Sequence, residues 1–145
     1  MENTNDFSGQ VGKAEDMDSL FGKCPVCTVQ KIIGGKWSIL ILYRLSHGTM
    51  RFGELNRLLP MITQATLTKQ LRNLEKFRLI ERIIYPQVPP KVEYSLSEIG
   101  EKFLPVLDAV CQWGEEYKEY IHETSIDEVK KNLAVNQDTL VKKRE

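Results

Sequence analysis

Two clusters in this sequence have residue types and spacings that could do chemistry. The first is Cys24-Pro25-Val26-Cys27. Pro25 suits the first position of a helix, so Cys24 stands at a helix start. Unpaired amides and the helix dipole favour a thiolate there, and Lys23 adds positive charge. Such a thiol reacts with oxidants and electrophiles. A small residue packed at a subunit contact is the plainer alternative, and the residues themselves leave both open. As a thioredoxin-like motif the C-x-x-C fails, because no βαβ pattern surrounds it. As half of a zinc site it lacks a second pair, since only Cys111, His47 and His122 remain, widely scattered. No metal or cofactor is expected.

The second cluster runs from Thr63 to Lys76. Leu67, Leu71 and Leu74 recur at helical spacing and mark a buried stripe. At about 100° per residue, the opposite face carries Ala65, Lys69, Arg72, Asn73 and Lys76, with Gln64, Thr66 and Thr68 on the flanks near the start. Amide and hydroxyl groups can pair with base edges, and cations can clamp phosphates. A solvated charged face is the alternative for this helix taken alone.

These groups need elements to hold them. Pro25 to Ile33 reads as a short helix ended by Gly34-Gly35, and Trp37 to Leu45 is apolar nearly all round, as a central core helix is. A short helix over Phe52 to Leu59 ends at Pro60. Thr63 is a good N-cap for a second helix reaching about Phe77. Leu79 to Tyr85 and Val92 to Leu96 read as strands, joined by the stiff loop Pro86-Gln87-Val88-Pro89-Pro90-Lys91. Ser97 then caps a long helix to about His122, bent at Pro105. Two helices with a tight turn and a hairpin after them make a winged helix-turn-helix. The expected fold class is mainly α with a small β-hairpin (α+β), flanked by N- and C-terminal dimerisation helices.

At 145 residues the chain has room for one domain with a real core. Residues 1–23 read as a flexible arm, 24–122 as the domain, and 123–145 as a polar tail with a possible short helix over Ile126 to Leu133. Formal net charge is zero, so any DNA-binding charge must be gathered on one face. From Thr63 to Lys91 six basic residues outweigh Glu75 and Glu81. No apolar run approaches a membrane span, and Met1 to Asp6 lacks the basic start and apolar core of a secretory signal. The cytoplasm is the expected compartment. No P-loop, G-x-G-x-x-G, G-x-S-x-G or HExxH occurs, so an enzyme is not expected.

Several segments together resemble the HxlR family of bacterial transcriptional regulators. They are Cys24-Pro25-Val26, Ile33-Gly34-Gly35-Lys36-Trp37, Gly48 to Leu55, Leu67 to Glu75, Pro89 to Leu96, and Trp113-Gly114. The resemblance covers about Cys24 to Tyr120 in unbroken order. It implies a winged-helix dimer related to the MarR type, with the Gln64–Lys76 helix in the major groove and the Pro86–Lys91 wing on the backbone or minor groove. It also implies that Cys24 of the Cys-Pro motif can sense electrophiles or oxidants. Two departures stand out. Phe77-Arg78 replaces an acidic residue and glycine, and Cys27 is an extra thiol.

The candidate DNA-binding residues are therefore Thr63, Gln64, Ala65, Thr66, Thr68, Lys69, Arg72, Asn73 and Lys76, with Lys91 on the wing. Redox sensing is assigned to Cys24. The long helix has more apolar surface than one core needs, so a two-fold dimer on a palindromic site is expected. Its interface residues are Val26, Leu107, Val110, Cys111, Trp113 and Tyr117, with Cys111 read as a core or interface thiol. The expected partners are double-stranded DNA and a second copy, with an oxidant or electrophile as signal and no membrane. The rival reading is a winged helix that binds protein instead of specific DNA.

Overall fold

The computed structural model describes residues 17–123 and 126–141. A 3-10 turn, Met17–Leu20, leads into α1 (Pro25–Ile33), α2 (Ser38–Leu45), the two-residue β1 (Met50–Arg51), α3 (Phe52–Leu58) and α4 (Gln64–Lys76). Strands β2 (Ile80–Tyr85) and β3 (Lys91–Leu96) follow, then α5 (Glu98–Glu101), α6 (Leu104–Glu123) and α7 (Ile126–Val141). The chain divides into two compact units at Glu101 and Lys102. The expected 24–122 domain spans that division.

In the first unit the apolar pattern decides what is buried. Ile41, Leu42, Leu55, Leu67, Leu71 and Leu74 are all fully inaccessible, and each such side chain is worth about 1.5–3 kcal/mol of burial. Three of the six sit on α4, which is how that helix is anchored. Its start is capped by Thr63, whose Oγ1 accepts from the Thr66 amide at 3.2 Å. Its end turns on Arg78, at φ +60. The Arg78 amide donates to the Glu75 carbonyl at 2.8 Å and the Leu79 amide to the Leu74 carbonyl at 3.0 Å. That is the paired-bond ending usually built on a left-handed glycine. Here an arginine occupies it.

The hairpin pairs from Ile80↔Leu96 to Tyr85↔Lys91. β1 adds a third strand, with Met50↔Tyr94 and Arg51↔Glu93, so β3 is central in the order β1-β3-β2. The residues alone show only the hairpin, because two residues are too few to show alternation. Ser97 joins sheet to helices. Its hydroxyl donates to the Arg78 carbonyl at 2.6 Å and accepts from the Gly100 amide at 3.1 Å.

Three expectations are corrected. The single helix from Ser97, bent at Pro105, is two helices with a break at Lys102 and Phe103, and Pro105 lies in the first turn of α6. Proline has no amide, and a first-turn amide has no partner to lose, so Pro105 fits a start better than an interior. Residues 17–23, expected within a flexible arm, are structured: Lys31 pairs with Asp18, and the Phe21 ring lies 6.0 Å from Phe77. Residues 1–16 lie outside the described residues. The short tail helix is longer than expected, running to Val141. The residues after Val141, expected as a solvated end, are outside the described residues.

Candidate nucleic-acid interface

The outward face of α4 is the candidate site. Thr63, Gln64, Ala65, Lys69, Arg72 and Lys76 are exposed, and Thr66, Thr68 and Asn73 are half-buried. The threonines shape the helix start. Thr63 Oγ1 also donates to Thr66 Oγ1 at 2.9 Å, and Thr68 Oγ1 donates to the Gln64 carbonyl at 2.8 Å. These bonds leave Gln64 and Ala65 outermost on the first turn, with the three cations behind them along the helix. Helix starts of this kind meet base edges, while cations further along hold phosphates.

Two shallow depressions flank α4. One, of about 390 Å³, is lined by Gly35, Lys69, Gln70, Arg72, Asn73 and Lys76. The other, of about 350 Å³, is lined by Phe52, Thr68, Arg72, Glu75, Arg82 and Tyr94. Arg72 borders both, and Arg82 extends the basic surface from α4 onto β2. Arg82 was absent from the expected site. A strand's alternation says that Arg82 and Ile84 share a face, but not that this face turns toward α4.

Lys91 is differently placed. Its ammonium bonds Glu93 at 2.8 Å and lies 4.8 Å from the centre of the Tyr85 ring. Tyr85 Oη donates to Glu93 at 3.2 Å. The Lys91 hydrogen bond, the Tyr85 hydroxyl and the nearby Lys91 and Arg51 charges hold the Glu93 carboxyl below its usual range, against some desolvation. The charge of Lys91 is thus shared within the wing. At the tip, Val88 is fully exposed and the Val88–Pro89 peptide is cis.

Cys24 and Cys27 share one turn but differ in environment. Cys24 is the N-cap of α1, with its Sγ accepting from the Cys27 amide at 3.4 Å. Hydrogen bonds from Cys27, backbone and side chain, hold the Cys24 thiol below its ordinary range. The bond to Cys24, and then desolvation, push Cys27 up. Of the two, Cys24 is the one held toward its thiolate. Cys111 is exposed on α6, so it is no core thiol.

Of the expected interface residues, Val26, Val110, Trp113 and Tyr117 are exposed and Trp113 stacks on Tyr117 at 5.2 Å. Leu107 is already buried within the chain. His47 packs edge-on against Tyr43, its Nδ1 2.9 Å from the Tyr43 carbonyl. Among the described residues no three His, Cys, Asp or Glu side chains come together as metal ligands, and no helix is long and apolar enough to cross a membrane.

Residues 32–122 match the family described as HxlR-like helix-turn-helix. A helix-turn-helix-type transcriptional regulator of Methanothermobacter thermautotrophicus is 48% identical over 111 residues, covering 77% of this chain and 83% of that one. The redox regulator HypR in its reduced form superposes with a TM-score of 0.66 at 42% identity, over 69% of this chain and 99% of HypR. Reduced YodB, a transcriptional regulator from B. subtilis, gives 0.58 at 33% identity, over 65% of this chain and 94% of YodB. The anchored α4 with its basic outer face, the hairpin after it and these likenesses agree: this chain belongs to the HxlR-like helix-turn-helix family and is a DNA-binding transcriptional regulator of the winged-helix, MarR-like kind.

Proposed function

We propose that this regulator binds a palindromic operator as a homodimer in the cytoplasm, reads bases with the start of α4, and is switched by oxidants or electrophiles at Cys24. It has no enzymatic role in this reading. The observation that carries the DNA reading is the outward face of α4, where Lys69, Arg72 and Lys76 stand exposed over three buried leucines. Support for the dimer comes from α6, whose Val110, Trp113, Tyr117 and Tyr120 are all exposed. That much aromatic surface on one helix calls for cover. Support for the switch comes from the cap position of Cys24 and from HypR, a redox regulator with known oxidised and reduced forms.

Lys69→Ala and Arg72→Ala test the reader. Each should weaken binding to DNA selected from a random pool by about 1–3 kcal/mol where the contact reads a base, with the thermal midpoint unchanged. Normal binding by both variants would sink the assignment of α4. Binding should also fall steeply with salt as counterions are released, which a purely protein-binding winged helix would not show.

A further inference from the structure

Cys24 and Cys27 share one turn, and that turn is joined to the reading helix. The amides of Lys23 and Cys24 both donate to the Leu20 carbonyl at 3.0 Å. The Gly22 amide donates to Thr28 Oγ1 at 2.9 Å, and that hydroxyl donates to the Cys24 carbonyl at 2.7 Å. Gly22 holds φ +79, which glycine adopts without strain. The stitched turn presents Phe21 to Phe77, the C-cap residue of α4. At its other end α1 runs into Gly35, where a Cβ would come within 2.6 Å of Gln70 Oε1 on α4. The segments flanking the helix that bears the thiols therefore both reach α4.

We propose that Cys24 and Cys27 are a paired modification site: a two-electron oxidant converts them to an intramolecular disulfide, and the altered turn releases Phe21 from Phe77 and shifts α4. The proposal rests on the redox reading of Cys24 and adds Cys27 as the resolving thiol. With hypochlorous acid, the Cys24 thiolate attacks chlorine, an S–Cl bond forms and hydroxide leaves. The Cys27 sulfur then attacks the Cys24 sulfur, the S–S bond forms and chloride leaves. The Cys27 proton goes to the hydroxide as water. The two thiols lose two electrons, which the chlorine gains.

Geometry says why this closure moves the turn. Cys24 stands just outside the helix as its extended N-cap, with its Sγ on the Cys27 amide at 3.4 Å, whereas a disulfide bonds the two sulfurs to each other at about 2.05 Å. Forming that bond turns the Cys24 sulfur toward the Cys27 side chain and changes the start of the helix. It also takes the Cys24 sulfur away from the Cys27 amide, which loses its cap. Both side chains are half-buried, not sealed, and α1 has no buried residue to resist the change.

The test treats the full chain with hypochlorous acid and reads two quantities: the bonded cysteines, by mass spectrometry without reductant, and affinity for a DNA fragment selected by the reduced protein. The wild type should show a Cys24–Cys27 bond within one chain and an affinity change of about tenfold. Cys27→Ser should lose most of that change. Phe21→Ala should still form the bond but respond little, whereas Phe21→Leu, which keeps an apolar contact, should respond. A bond between subunits at Cys24 with a full response in Cys27→Ser would overturn the paired site and leave Cys24 as sensor. A full response in Cys24→Ser would overturn both. An intramolecular bond with unchanged DNA affinity would overturn the coupling to α4.

Discussion

Helices α1 and α4 begin on the same geometry and are held very differently. Each is capped by an extended residue, Cys24 at φ −92, ψ 120 and Thr63 at φ −69, ψ 154, whose side chain accepts from the amide three residues on. In α4 the acceptor is a hydroxyl oxygen, and three fully buried leucines hold the helix down. In α1 it is a sulfur, a weaker acceptor, and no residue of the helix is buried. The difference teaches how one small domain separates rigidity from response. A surface that reads DNA must keep its shape, and α4 is built on the core. A segment that changes with chemistry must move at low cost, and the hold on α1 suits the proposed switch in that respect.

Equal anchoring of the two helices would undo this contrast. Leu71→Ala should cost about 2–5 kcal/mol of unfolding free energy as a cavity in a packed core, whereas Val29→Ala on α1 should stay within about 0.5 kcal/mol, as surface changes do. Denaturant midpoints of the two variants decide it. Equal losses would mean that α1 is held by contacts not yet recognised.

The caps offer a finer test. Thr63→Ala should cost about 1 kcal/mol, since a hydroxyl cap is removed. Cys24→Ser should cost no stability, because oxygen replaces sulfur at the same bond, yet it should lose the oxidant response. A Cys24→Ser protein that is markedly less stable would show that the sulfur packs as well as caps.

The helix ends reverse the usual order and give the smallest effect. α1 ends on Gly34 at a right-handed φ of −68, while α4 ends on Arg78 in the left-handed region that glycine favours. Arg78→Gly should therefore raise stability by up to about 1 kcal/mol, read as a higher thermal midpoint. A lower midpoint would mean that the Arg78 side chain does more for the fold than its strained backbone costs.

Much of this was legible in the residues because it is local. Pro25, Gly34, Pro60 and Thr63 bound their helices through proline's fixed φ, chain reversal and caps, and the Leu67, Leu71, Leu74 spacing marked the buried side of α4 and, by opposition, its basic outer face. What required the tertiary structure was every pairing between segments distant in sequence. β1 exists only because β3 offers Met50 and Arg51 an edge. Arg82 joins the basic surface only because the sheet turns that face to α4, and the Lys91–Glu93 pair on β3 is completed by Tyr85 across the hairpin. The contact of Phe21 with Phe77 spans more than fifty residues, and nothing in the polar stretch before Cys24 announces it. Local sequence sets which elements form, through caps, breaks and periodicity. Which charges are free, and which segments touch, depends on how those elements meet in space.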